Sequence, residues 1–206
     1  MLTTRAWSWA GEPGLKVTVT NPTDAELVEA CLAGRRDAFD VLVERHQRHV
    51  YQLCYRFVGN HEDASDLAQD VFIRAYRGIG TFKGEASLGT WLYRIGVNVC
   101  LNRVGAKTPK PEALDPLLAA SDERIAVTEE SADAAVLRGE RAGQVRAAIA
   151  RLPRKQRATL ILRVYHELPH EQIAGILGSS VGAVKANFFH ALNNLKKLMR
   201  DNDAPF

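Results

Sequence analysis

Three groups of side chains in this 206-residue sequence have types and spacings suited to chemistry. The first is Asp63, Asp66, Gln69 and Asp70, at steps of three and four residues, beside Leu67 and Val71. At helical periodicity such a set makes a polar, acidic face flanking an apolar one. An acidic face can hold a basic partner or simply be solvated, and charge alone leaves both readings open. The second group interleaves Phe82, Trp91 and Tyr93 with Lys83, Arg94 and Arg103. Unstacked bases need π platforms and phosphates need cations, so this mixture suits single-stranded nucleic acid. Trp91, inside "TWLYRI", reads equally well as a core residue. The third group lies in and before "LGSSVGAVKANFFHALNNLKKLM", residues 177–199. Gly182, Ala183, Lys185, Ala186, Asn187, His190, Asn194 and Lys197 fall opposite its apolar stripe. Small residues there let a backbone approach a DNA groove, and asparagine pairs bidentately with adenine. Phe189 sits at the edge of the stripe and reads as core, with a thymine-methyl contact as the alternative. Arg154, Lys155 and Arg157 on the preceding helix, with Lys196, Lys197 and Arg200 at the tail, can supply phosphate charge.

Other chemistries find little support. There is no phosphate loop, no nucleophile elbow and no metal-ligand spacing, so neither an enzyme nor a cofactor is expected. His46 and His49 lie near Glu44 on one helix, where a core or solvated role outweighs catalysis. Cys31, Cys54 and Cys100 are far apart in apolar helical contexts, which reads as buried free thiols in a reducing cytosol. No apolar run reaches the roughly 18–20 residues that span a bilayer, and "MLTTRAWSWAGEPGLKVTVT" lacks the apolar centre of a signal peptide. A cytoplasmic protein without membrane insertion is expected.

The elements that must position these groups are helical. Apolar content of 46% and charged content of 25% are ordinary for a globular chain, and strand-like alternation is confined to "KVTVT". Thr23 and Glu26 form a capping box that opens "DAELVEACLAG", with Gly34 as its stop. A second helix runs from Asp37 to Val58, with Phe39, Leu42, Val43, His46, Val50, Leu53, Cys54 and Phe57 as its stripe. A third covers Glu62 to Arg77, where Ala64, Leu67, Ala68, Val71, Phe72 and Ala75 recur at helical spacing. After the loop "GIGTFKGEAS", Ser87 caps a fourth, "LGTWLYRIGVNVCLNRV". Pro109, Pro111 and Pro116 then interrupt regular structure. Residues 105–134 carry 3 Lys/Arg against 7 Asp/Glu, a net of −4, whereas residues 135–206 carry 12 against 5, a net of +7. A basic third behind an acidic tether suggests a polyanionic partner.

The expected architecture is therefore all-α. A poorly ordered extension (1–21) precedes a helical domain (22–104), an acidic flexible linker (105–134), a second helical domain (135–200) and a tail (201–206). The second domain carries a helix-turn-helix signature. Pro169 starts a short helix, Ala174 allows close crossing, Gly178 supplies the turn, and Ser180 caps a helix whose stripe is Val181, Val184, Phe188, Leu192, Leu195 and Met199.

Residues 61–104, "HEDASDLAQDVFIRAYRGIGTFKGEASLGTWLYRIGVNVCLNRV", resemble conserved region two of bacterial RNA polymerase sigma factors, in particular the compact extracytoplasmic-function kind. "LPRKQRATLILRVYHELPHEQIAGILGSSVGAVK" resembles region four, and together the resemblance spans roughly residues 22–200. It implies that Asp63, Asp66, Leu67, Gln69, Asp70 and Val71 bind core polymerase. Phe82, Lys83, Trp91, Tyr93, Arg94, Asn98 and Arg103 would engage melted minus-ten DNA, and the glycine-rich loop at 78–89 would capture a flipped base. Arg154, Lys155, Ser180, Lys185, Ala186, Asn187, His190, Asn194 and Lys197 would meet the minus-thirty-five element. It further implies an anti-sigma partner and a linker that mimics nucleic acid in a polymerase channel. Two departures stand out: Pro169 replaces the frequent serine or threonine cap, and "VGAVKANFFHAL" puts Asn187, His190 and Leu192 where relatives often carry arginine. The competing reading is an autonomous helix-turn-helix regulator with a helical sensing domain.

Overall fold

The computed structural model describes residues 22–106 and 132–203, and among these every regular element is helical. The extension, the "KVTVT" stretch, most of the acidic linker and residues 204–206 lie outside the described residues. The elements are α1 (Asp24–Leu32), α2 (Asp37–Val58), α3 (His61–Gly78), a 3-10 turn (Ile79–Thr81), α4 (Leu88–Ala106), α5 (Ala132–Ala150), α6 (Arg154–Val164), α7 (His170–Leu177) and α8 (Val181–Asp203).

Local chemistry sets most of these limits. The Thr23 hydroxyl accepts from the Glu26 N–H while the Glu26 carboxylate accepts from the Thr23 N–H at 2.7 Å, the expected capping box. Gly59 ends α2 at φ +79°, and Gly178 ends α7 at φ +58°, left-handed geometry that glycine adopts without Cβ strain. Pro169 stands one position earlier than expected, as the N-cap of α7 rather than its first residue. The fourth helix runs on to Ala106, and the fifth already begins at Ala132.

Helices α2, α3 and α4 bury Leu42, Val50, Leu53, Cys54, Phe57, Val71, Val97 and Cys100 between them. Gly96 permits the α2–α4 crossing, since a Cβ there would lie 2.8 Å from Leu53 Cδ2. Asp24 anchors α1 to α2 through an ion pair with Arg45 and a 2.8 Å contact with His46 Nε2. In the C-terminal half α6 is the central helix: Arg157 through Leu162 are all buried, as an element packed on several sides requires. It lies against α8, whose Val184 and Ala191 are fully buried.

The two halves also pack on each other, through α2 with α6 and α4 with α7. Arg157, only 3% exposed, donates to the Phe57 carbonyl, one of the last α2 carbonyls that lack a partner in their own helix. Arg154 Nη2 donates to the Leu101 carbonyl at 2.6 Å. The Arg56 guanidinium lies 4.0 Å above the Tyr165 ring.

Candidate nucleic-acid interface

The α3 face is divided by packing. Asp66 and Gln69 are exposed, and Asp70 is half-exposed, bonded through both carboxylate oxygens to Arg74 one turn on. Asp63 is engaged within the molecule. Its N–H donates to the Asn60 side chain at 2.8 Å, and its carboxylate pairs with Arg103 of α4. Leu67 and Val71 are 6% and 0% exposed, so they hold α3 in the core rather than reaching outward, contrary to their expected place in a binding surface. The acidic face continues instead into Ile73 and Tyr76, both well exposed, with the Tyr76 ring edge-on to Phe39. Neither is among the expected site residues, although steps of three and four from Asp66 through Gln69, Asp70 and Ile73 lead directly to them.

The aromatic and cationic group is also dispersed. Phe82 and Trp91 pair with ring centroids 5.5 Å apart, and Trp91 covers Gly78 at the end of α3. Lys83 and Asn98 are exposed, with Gly84 at φ +71° shaping the loop between the turn and α4. Tyr93 and Arg94 face the C-terminal half. Tyr93 OH lies 3.0 Å from His166 Nδ1, and Arg94 Nη2 donates at 2.6 Å to the Gly175 carbonyl. Gly175 is in the last turn of α7, where carbonyls lack helical partners, so the arginine serves as a cap. Burial holds His166 neutral by lowering its pKa to about 4, with His49 and Arg56 adding to the effect; its Nε2 is buried and unpartnered.

The C-terminal site is the expected helix-turn-helix. The Gly178 and Ser179 N–H groups donate to the Ala174 carbonyl, and the Ser180 hydroxyl accepts from the Ala183 N–H at 3.1 Å to start α8. Lys185, Ala186, His190 and Lys197 are exposed as expected, as is Lys155 on α6. Asn187 and Asn194 are half-buried, and Asn194 donates to Gln156 of α6 at 2.8 Å. Arg157 is buried against the N-terminal half and is unavailable to phosphate in this arrangement, whereas Arg154 is exposed with one guanidinium nitrogen turned to the Leu101 carbonyl. Two apolar positions depart from the expected stripe. Leu192, expected in the buried stripe, is 44% exposed, and Phe189, read as core, is 61% exposed; Ala191 takes the inward place.

Comparison with known proteins bears on both sites. Residues 42–108 match the family model Sigma-70 region 2, and residues 142–195 match Sigma-70, region 4. The RNA polymerase sigma-H factor of Pseudomonas aeruginosa is 35% identical over 188 residues, covering 88% of this chain and 96% of that protein. The ECF RNA polymerase sigma factor SigW of Bacillus subtilis is 35% identical over 173 residues, covering 82% and 92%. Among solved structures, CnrH in complex with the cytosolic domain of CnrY shares the fold with a TM-score of 0.63 at 24% identity, covering 88% of this chain and 99% of that one. The sigma factor RpoE of Bartonella quintana, in complex with the anti-sigma factor NepR, gives 0.59 at 19% identity, covering 79% and 96%.

Proposed function

The chain belongs to the extracytoplasmic-function group of the sigma-70 family and directs promoter-specific transcription initiation by RNA polymerase; from that premise we propose how its residues divide the work. Asp66, Gln69 and Asp70, continued by Ile73 and Tyr76, dock on a basic surface of core polymerase. Lys83, Asn98, Phe82 and Trp91 meet the melted minus-ten strand, joined by Tyr93 once it leaves His166 and by Arg94 once it leaves α7. Helix α8 reads the minus-thirty-five element, with Lys155 and the α8 lysines on phosphates. Leu67, Val71 and the Asp63–Arg103 pair position the surface without touching the partner. Because two solved neighbours are bound to CnrY and to the anti-sigma factor NepR, we also propose an inhibitory protein partner for this chain. No helix among the described residues is long and apolar enough to cross a membrane. Because its proposed work is on core polymerase and promoter DNA, we propose a cytoplasmic location.

The observation that carries this assignment is the pairing, in one chain, of an exposed acidic α3 face with an exposed α8 that has no acidic residue from Val181 to Arg200. The first suits a basic protein and the second suits DNA. The order of the two matched regions favours this over a stand-alone regulator. In a competition assay for bacterial core polymerase, Asp66→Arg with Asp70→Arg should weaken binding at least tenfold and reduce promoter-directed transcripts in proportion. Undiminished core binding by the double variant, or tight promoter binding without core polymerase, defeats the assignment.

A further inference from the structure

We propose that Phe189 and Leu192 form an apolar reader of thymine, meeting the 5-methyl groups of the minus-thirty-five element in the major groove; this rests on α8 being the minus-thirty-five reading helix. Lys185, Phe189, Leu192 and Lys196 follow one another at steps of four, three and four, which places them on one stripe of α8. All four are exposed, Phe189 and Leu192 at 61% and 44%, while the inward face is held by Val184 and Ala191. The Phe189 ring meets the edge of His190 at a centroid distance of 5.7 Å and stands clear of the core. Phe189 lies eight residues past Val181, about 12 Å along the axis at 1.5 Å per residue, within the stretch of a recognition helix that lines the groove.

The surroundings select the occupant. Lys185, Lys196, Lys197 and Arg200 flank the apolar pair, and no acidic side chain interrupts α8 before Asp201. A polyanion therefore complements this face better than a protein of mixed charge. Within the DNA major groove thymine alone among the four bases presents a methyl group, and apolar side chains are its natural contacts. Hydrogen-bond readers are few here, because Asn194 is committed to Gln156 and Asn187 is half-buried, leaving Asn193 as an exposed asparagine of α8. Sequence preference then falls to His190, Lys185, Asn193 and the apolar pair.

The experiment uses the full chain with bacterial core polymerase and a promoter library randomised across the minus-thirty-five element, selected by complex formation. Wild type should enrich thymine at one or two positions. Replacing those thymines with deoxyuridine removes only the methyl, and should weaken the complex roughly fourfold per methyl, the value of one buried methyl-sized group. Phe189→Ala, a change at an exposed position, should lose most of that sensitivity, and Phe189→Leu should retain part of it. Lys185→Ala should weaken all promoters alike if that side chain meets phosphate, leaving the deoxyuridine effect intact. Three results overturn the proposal. In the first, deoxyuridine is indifferent for wild type although transversions at the same positions abolish the complex; the reading role of α8 then survives and only the methyl contact fails. In the second, Phe189→Ala weakens every promoter equally, which marks the pair as a protein-docking surface. In the third, no base is enriched at minus thirty-five, and the parent assignment of α8 falls as well.

Discussion

At the scale of single residues, the sharpest contrast is between charges that face solvent and charges that the fold has already engaged. Arg157 shows the second kind. Composition counts it with the basic C-terminal third, yet it is buried, donates to the Phe57 carbonyl, and makes a longer bond of 3.3 Å to the Ala150 carbonyl. Hydrogen bonds from a charged donor are worth about 1.5–3 kcal/mol each. Arg157→Ala should therefore lower stability by about 2 kcal/mol, read as a lower urea midpoint, and should loosen the N-terminal half from the C-terminal half. A variant as stable as wild type would show that the bond is matched by water when broken. Asp63 behaves similarly, since its partner Arg103 neutralises it before any polymerase can. Both engagements were illegible in the sequence, because the partners lie 100 and 40 residues away.

At the scale of elements, periodicity carried nearly everything that was legible. The capping box at Thr23, the glycine turn at Gly178 and the Ser180 cap are local chemistry, and each stands where the sequence places it. Gly96 is different: nothing in "YRIGVNV" announces that α2 crosses there. Its Cβ position is 2.8 Å from Leu53 Cδ2 and 3.7 Å from Val71 Cγ2, and Leu53 is itself fully buried. Gly96→Ala gains about 1 kcal/mol of helix propensity but overpacks a closed core, at a typical cost of 1–3 kcal/mol. Overpacking should win, with a net loss of about 1 kcal/mol and a lower thermal midpoint. An increase in stability would show that Leu53 has room to move.

At the scale of the whole molecule, the arrangement is closed. Tyr93 and Arg94 of α4, proposed for the minus-ten strand, are bonded to His166 and Gly175 of the C-terminal half. The minus-ten and minus-thirty-five elements lie about 25 base pairs apart, or roughly 85 Å at 3.4 Å per pair. On the proposed assignment two halves in contact do not span that distance, and we infer that they part on polymerase. The 25 residues from 107 to 131 can reach at most about 85 Å, enough for that separation once the size of the domains is added. His166 makes the closure sensitive to acid. Its pKa is about 4 when closed, against about 6.5 when solvated, so opening takes up a proton between those values. The closed form is thus favoured above about pH 6.5 and weakens as pH falls toward 4, by up to about 1.4 kcal/mol per pH unit. His49 and Arg56 of α2 reinforce the effect by repelling a charged His166, while Tyr93 bonds the neutral ring. Energy transfer between labels on α3 and α8 should fall as pH drops from 7 to 5. His166→Phe should flatten that response, and a response unchanged in the variant would place the sensing group elsewhere.

Taken by itself, the sequence determined the helices, their caps, the helix-turn-helix and the membership of the family. These depend on residues within one or two turns of each other, or on motifs read in order along the chain. Only the tertiary structure decided which side chains remain free to act. It turned Leu67 and Val71 inward, engaged Asp63, Tyr93, Arg94 and Arg154, and left Phe189, Leu192, Ile73 and Tyr76 in solvent. Helical periodicity says which residues share a face, but which flank of that face is covered depends on how neighbouring helices cross. That crossing is set by contacts far apart in sequence, such as Leu53 against Gly96, and the surface that meets polymerase and promoter follows from it.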